Sequence, residues 1–455
     1  MNAIVRIDPA RAAILGERLA ALRQRAPGGA LLSITLDLGT TPTDWLDRAP
    51  RTADYCYWAR PTRAGYCLGL GRAVACTSAG PARLTALQAA YDGMVREWLH
   101  DGDDGCSEPV ACLGFAFDDD GGAPLPSAQI WVPAVLLRRH GERSTATFTT
   151  AARDSADAPM HWLALLDAVA EGGATEVHAP ETTGGSGSPL AQRAWAARVD
   201  AALAAIAAGE IDKVVLSRTR RLTLPTPPSP VRLLRTLTQL QPESTTYAIG
   251  TPSATFLGAT PERLVSRRGV TVRADALAGT AWSDTPLDVG KNAHEQALVV
   301  RAIREALAPL CAALDVPEAP QVLELRHLRH LFSPIRGQLR DGVTLFDLIA
   351  ALHPTPAVGG WPIVRACDWL RHHHERRRGW YTGGIGWIDR GGDGELAVGL
   401  RSALIEGRNV ELAAGAGIVA GSSAALEFDE TEAKLATMLR ALQTGSDADR
   451  RTGTR

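Results

Sequence analysis

The order in which strand-like and helix-like segments follow one another constrains this chain most. Up to about residue 180, short apolar runs such as Leu31–Leu36 and Gly65–Gly71 are separated by turns. Each is too short for a helix and reads as a strand. A helix is expected over about 82–100, where Leu84, Leu87, Tyr91 and Met94 recur at three- and four-residue spacing. Strands return at Val110–Phe117, Ala128–Leu137 and Ser144–Thr149. Residues 182–189, rich in Gly, Ser and Thr and ended by Pro189, read as a flexible linker whose proline suits the start of a helix. Leu190–Ala208 then carries Trp195, Val199, Leu203 and Ile206 on one helical face, Gly209 stops it, and Lys213–Ser217 reads as a buried strand. The Pro-rich segment 221–232 reads as a loop. Further strands are expected at 247–259, 263–267, 383–389, 395–404 and 409–414, and helices at 292–308, 344–351, 363–374 and 427–442. This is a mixed antiparallel α+β pattern, without the regular βαβ alternation of a doubly wound sheet. The polar tail, 443–455, is expected to be disordered.

Composition narrows the function classes. The 455 residues are 45% hydrophobic, as in a globular protein, which excludes wholesale disorder. With 48 Lys and Arg against 50 Asp and Glu, the formal charge is −2, unsuited to a generic nucleic acid binder. No run of about 20 apolar residues suggests a membrane partner. The N-terminal segment has no apolar core followed by a small-residue cleavage site, so a cytoplasmic protein is expected. Seven cysteines form no CxxC pair, and they are expected to be reduced packing residues.

Four features carry possible chemistry. Ala414–Gly421 satisfies a loose GxGxxA dinucleotide pattern, but Gly421-Ser422-Ser423 postpones the helix that pattern needs; an anion-binding turn and a plain tight turn remain open. Arg371–Arg378 holds three consecutive histidines, which point about 100° apart on a helix and cannot converge on one ion, so a solvated helix end is expected. Glu427, Glu430 and Lys434 share one helical face. They form either an exposed charged face or, with Glu295 from another helix, an oxygen-rich site of the kind Mg²⁺ accepts. Lys213 opens an apolar strand, where it is either a base with a burial-lowered pKa or an edge residue reaching to water.

Seven ordered motifs together resemble the chorismate-utilising enzymes, most closely the isochorismate synthases. They are Lys213–Arg218, Gly258–Leu264, Ala276–Thr280 with His330-Leu331, Leu352–Gly360, Arg378–Gly383, Leu400–Ala403, and Ala414–Ala420 with Glu427–Thr431. The resemblance is strong from about 190 to 442 and weaker before that, as in Gly114–Asp118. It implies one large α+β domain of two packed β-sheets flanked by helices, with residues 1–181 as the variable N-terminal half of the fold and 190–442 as the catalytic region. It also implies Mg²⁺-dependent isomerisation of chorismate to isochorismate. Lys213 would be the base that activates water, and Glu262 the acid that protonates the departing C4 hydroxyl. Glu295 and Glu430 would hold Mg²⁺, with Glu427 bound directly or through water. Tyr381, Arg401, Lys434 and the Gly415 backbone would hold the substrate carboxylates, with His330 and Ala357 beside the substrate. A monomer without a glutamine amidotransferase subunit is expected.

Where the family usually has Glu-Lys-Asp-Arg-x-Glu-His, this chain reads Gly290-Lys291-Asn292-Ala293-His294-Glu295-Gln296, which predicts weaker Mg²⁺ binding. Salicylate synthesis, which adds pyruvate elimination, is the alternative activity. Resemblance to isochorismate synthases includes Ala357, where salicylate and anthranilate synthases tend to carry a hydroxyl. The ammonia-using relatives would carry Gln in place of Lys213, and aminodeoxychorismate synthases a nucleophilic lysine in place of Ala278. A catalytically silent binding module is disfavoured because both Lys213 and Glu262 are present.

Overall fold

The computed structural model describes residues 9–40, 46, 54–63, 65–103, 105, 107–119, 124–170, 189–282, 287, 290–324, 328–373 and 378–447. Twenty strands form one hydrogen-bonded network that folds into two facing layers. The first layer runs β16 (Gly360–Trp361), β8 (Lys213–Thr223), β20 (Asn409–Val419), β19 (Ser402–Glu406), β10 (Thr255–Thr260), β9 (Thr245–Gly250) and β2 (Tyr55–Arg60). It continues through the start of β3 (Gly65–Ser78) and the end of β6 (Ala128–His140) to β7 (Arg143–Ala151), β1 (Leu31–Thr40) and β4 (Trp98–Gly102). The second layer takes the other halves of β3 and β6, then β5 (Val110–Phe115), β17 (Gly384–Asp389), β18 (Gly394–Val398), β11 (Arg263–Arg268), β12 (Thr271–Trp282) and β15 (Leu328–Leu339). β13 (Cys311–Asp315) and β14 (Gln321–Glu324) both pair with β15. Among the described pairings only β1 with β4 is parallel.

Two long strands therefore belong to both layers. β6 pairs with β5 over Ala128–Trp131 and with β7 over Val135–His140. The β3 register slips between Arg72 and Val74, a bulge of the kind that bends a strand, next to Gly71 at φ 60°. Between the layers, Cys56, Tyr247, Ile249 and Phe256 pack against Cys112, Trp131, Trp380 and Ile385.

Helices close the outer faces because each has an apolar stripe to bury. α1 (Pro9–Arg25), α3 (Ala158–Ala170), α5 (Pro230–Leu240) and α9 (Ala424–Asp447) cover the first layer. α2 (Arg83–Arg96), α6 (Lys291–Leu307) and α7 (Leu345–Leu352) cover the second. α4 (Pro189–Ala207) and α8 (Ile363–His372) pack on β8 and β20. The expected α+β architecture of two packed sheets flanked by helices is what forms.

Several local expectations change. The segment 221–232 is a loop only in its middle, since β8 runs to Thr223 and α5 begins at Pro230, capped by the Ser229 hydroxyl. The strand expected at 247–259 is a hairpin, β9 and β10, closed by a turn at Thr251–Ala254. α9 starts at Ala424 and runs to Asp447, past the expected end; the rest of the tail and the linker residues 182–188 lie outside the described residues. Cys56 and Cys112, expected to be reduced, are joined as a disulfide across the layers. They lie 56 residues apart, and their spacing carries no trace of which strands will face each other. Cys67, Cys76, Cys311 and Cys367 are free, and Cys106 lies outside the described residues. Among the described residues, no helix is long and apolar enough to cross a membrane.

Candidate active site

Lys213 is the first residue of β8, flanked by Trp361 of β16 on one side and Val419 of β20 on the other. Interior on both sides and 0% exposed, it cannot reach water as an edge residue would. Its ammonium instead meets Glu295 Oε1 of α6 at 2.9 Å. An unpaired charge at that depth would cost several kcal/mol, of order, so the ion pair is what makes the position tenable. The glycine cluster explains how the pair fits. Gly415 and Gly417 are not in a turn: they lie inside β20, opposite Ser217 and Val215 of β8. A Cβ on Gly417 would stand 2.5 Å from Glu295 Oε1 and 2.9 Å from Lys213 Cε. Both the dinucleotide loop and the anion-binding turn are thereby replaced by a strand kept bare so that a lysine and a glutamate can meet over it.

Glu295 of that pair lines a cavity together with Glu262, His330, Ala357, Tyr381, Arg401, Gly415, Glu430 and Lys434, and with Gly279, Thr280 and Thr382. Nine of the eleven residues singled out from the sequence thus line one cavity; Lys213 and Glu427 are buried behind its wall.

Glu262 sits between β10 and β11, 3% exposed, with no hydrogen bond to its Oε1 among the described residues. Burial, reinforced by Asp275 and opposed by Lys213, Arg401 and Lys434, pushes its carboxyl up to about 8. It is protonated at neutral pH, and its acid proton has no acceptor among the described residues that would hold it.

The same cavity carries the cationic side chains Arg401 and Lys434 and the imidazole of His330. His330 of β15 is driven down to about 3 by burial and by Arg401 and Lys434, so its ring is neutral. Arg401 Nη2 lies 3.5 Å from His330 Nε2 and can only donate. The ring hydrogen therefore sits on Nδ1, 3.2 Å from Thr280 Oγ1. Arg401 and Thr382 are both non-glycine residues with left-handed backbones, at φ 50° and 62°. Strain of about 1–3 kcal/mol at such positions is characteristic of functional sites. Burial raises the Tyr381 phenol to about 12, so it remains a neutral donor. Lys434 Nζ is bound to Glu430 Oε1 at 2.5 Å and to the Gly415 carbonyl at 2.8 Å. Gly415 contributes an acceptor here, where an N–H donor was expected.

The three candidate metal carboxylates are each held by a lysine. Glu295 meets Lys213, Glu430 meets Lys434, and Glu427 meets Lys291. Burial and the charge of Glu430 raise the Glu427 carboxyl despite Lys291. Burial also acts upward on Glu430, but the charge and hydrogen bond of Lys434, with His330 and Lys291, together bring the net direction down. Among the described residues, no three His, Cys, Asp or Glu side chains are gathered ready for a metal ion. The donor type nevertheless fits Mg²⁺, which accepts carboxylate oxygens; burial lowers the Lys291 ammonium, but Glu427, with Glu295 and Glu430 adding charge, raises it on balance.

Two residues went unnoticed in the sequence. Lys291 was read only as a neighbour of Glu295, and Thr382 only as a member of the Arg378–Gly383 motif, since a left-handed threonine has no compositional signature. The histidine run behaves as a helix end: His372 and His373 bond back to Asp368 and Trp369 carbonyls, and residues 374–377 lie outside the described residues. Its last member is the correction. Arg378 is buried, donating to the Val358 and Val215 carbonyls behind the cavity.

The model of chorismate binding enzymes matches residues 17–443. The salicylate biosynthesis isochorismate synthase of Pseudomonas aeruginosa is 34% identical over 408 residues, covering 85% of this chain and 84% of that protein. Isochorismate synthase MenF of Bacillus subtilis is 35% identical over 359 residues, covering 73% and 74%. The solved menaquinone-specific isochorismate synthase MenF of Escherichia coli is similar with a TM-score of 0.77 at 27% identity, covering 94% of this chain and 99% of that one. Anthranilate synthase component I of Streptococcus pneumoniae shares the fold, with a TM-score of 0.68 at 21% identity over 83% and 92%. The match runs through both layers and through α9, which carries Glu427, Glu430 and Lys434, and the chain belongs to the chorismate-binding enzyme family.

Proposed function

We propose that this protein is an isochorismate synthase, an isomerase that adds water at C2 of the chorismate ring and expels the C4 hydroxyl. The observation that carries the reading is the buried Glu262, protonated at neutral pH and within the electrostatic reach of Lys213. Water is a poor nucleophile and hydroxide a poor leaving group, so the reaction needs a base and an acid that do not neutralise each other. In its neutral amine form Lys213 takes the proton of the attacking water, becoming the ammonium that pairs with Glu295, and Glu262 gives its own proton to the departing oxygen. Arg401 and Tyr381 hold the substrate carboxylates, with the neutral His330 orienting Arg401. Glu295, Glu430 and Glu427 would hold Mg²⁺, which when bound supplies Lewis-acid stabilisation of charge developing at the ring carboxylate. Ala357 in the cavity wall offers no hydroxyl to hold isochorismate for a further elimination. The reading includes a cytoplasmic monomer working without an amidotransferase subunit.

The test is incubation with chorismate and Mg²⁺, with chromatography of the products. Isochorismate is expected to accumulate, to convert back to chorismate, and to stop forming when the metal is chelated. Salicylate and pyruvate in equal amounts would overturn the choice of product. Full turnover after exhaustive chelation would remove the metal from it.

A further inference from the structure

Lys291 stands in an unusual place for a surface-helix lysine. It is the first residue of α6, and its ammonium pairs with Glu427 Oε1 of α9 across 136 residues of sequence. Glu427 is itself 1% exposed, and Lys291 also feels Glu295 and Glu430. Those are the same three carboxylates proposed above to hold the divalent cation. One buried and two half-buried carboxylates that act on the same ammonium repel one another unless cations compensate them. Glu295 and Glu430 have their own lysines, Lys213 and Lys434, whereas Glu427 has only Lys291 among the ion pairs described. The neighbouring position offers no carboxylate to help a metal in, because Asn292 is an amide and is buried.

We infer that Lys291 is a tethered counter-cation: its ammonium takes the place of the divalent ion among the three glutamates and is displaced when the ion binds. The inference rests on the metal reading of the site and adds a residue that sets how tightly the metal is held. The physical argument is competition for one carboxylate. Mg²⁺ cannot reach Glu427 Oε1 while the ammonium is on it, so part of the metal's binding free energy goes into breaking the ion pair. In return the metal-free site stays folded with its charges compensated. A lysine that merely braced α6 against α9 would behave in the opposite way, because its loss would loosen Glu427 and weaken metal binding.

The test uses the full chain, stripped of metal and without substrate. Mg²⁺ affinity is measured by titration calorimetry for the wild type, Lys291→Met and Lys291→Arg, alongside melting temperatures with and without Mg²⁺. Lys291→Met is expected to bind Mg²⁺ about tenfold more tightly, to melt lower than wild type without metal, and to recover with metal. Lys291→Arg keeps the charge and is expected to stay within about threefold of wild-type affinity. A readout on the unmodified protein stands beside these: reductive methylation of Lys291, followed by mass spectrometry, is expected to speed up several-fold as Mg²⁺ saturates. Unchanged or weaker affinity in Lys291→Met, or methylation that does not rise with Mg²⁺, would overturn the inference while leaving the metal site standing. A wild type that binds no Mg²⁺ at all would overturn the metal reading and this inference with it.

Discussion

At the scale of single residues, Glu262 ties stability to the acid role proposed for it. Its carboxyl is raised from 4.5 to about 8 by burial, with Asp275 adding to the effect. Between those two values the unfolded chain gives up this proton and the folded chain keeps it. Its contribution to stability is therefore full below 4.5 and is lost as pH rises through about 8. Glu262→Gln cannot titrate, so its melting temperature relative to wild type is expected to climb from pH 5 to pH 9. Its turnover is expected to fall ~10² to 10⁴-fold, the usual contribution of a general acid. Wild-type kcat/KM is expected to decline above about pH 8 as the acid form is lost. Parallel melting curves for the two proteins across that range would show that Glu262 titrates normally. Lys213 and Glu262 were both legible in the sequence as chemistry-bearing residues because their motifs are local. The raised carboxyl was not, because it depends on burial and on Asp275, Lys213, Arg401 and Lys434, which four other segments place around it.

At the scale of elements, α9 is the part on which the site depends most, since it carries Glu427, Glu430 and Lys434. It is held to α4 by Trp195, whose indole donates to the Ala424 carbonyl at 3.1 Å and whose ring meets Phe428 edge-on at 6.4 Å. Arg218 of β8 lies 4.0 Å above the other partner, the Phe428 ring. Trp195 is 2% exposed, so Trp195→Ala opens a large hole, expected to cost ~3–5 kcal/mol. The denaturant midpoint is the measurement, with an unchanged slope showing that the fold is intact. Turnover is expected to fall as well, because α9 loses its anchor beside Glu427. A cost below ~1 kcal/mol would mean that α9 is held elsewhere. The helical face of α4 was readable from periodicity, and the helix, expected at Leu190–Ala208, spans Pro189–Ala207. Its partner was not readable, since nothing in α4 names the helix it will meet.

At the scale of the whole molecule, the two halves of the chain complete each other's sheets. β9 pairs with β2, and β17 with β5, so strands after residue 189 depend on strands before residue 170. The core between the layers draws Cys56, Cys112 and Trp131 from the first half and Tyr247, Phe256 and Trp380 from the second. A fragment of residues 189–447 would expose two long strand edges and half of that core. It is expected to show no cooperative calorimetric transition and no near-ultraviolet dichroism of packed aromatics. A sharp endotherm from the fragment would show that the region carrying the site folds alone.

The sequence by itself determined what depends on neighbours a few residues away. Helix periodicity placed α6 within one residue of its observed bounds, Lys291–Leu307, and nine of the eleven residues taken from the motifs line the cavity. Tertiary structure alone decided which strands pair and where β3 and β6 pass from one layer to the other. It also put Gly415 and Gly417, read as part of a turn, into a strand beside Lys213, and paired Lys291 with Glu427. Those outcomes rest on non-local contact and desolvation: a charge's energy, and the room a glycine leaves, are fixed by atoms that the chain brings back from far along its length.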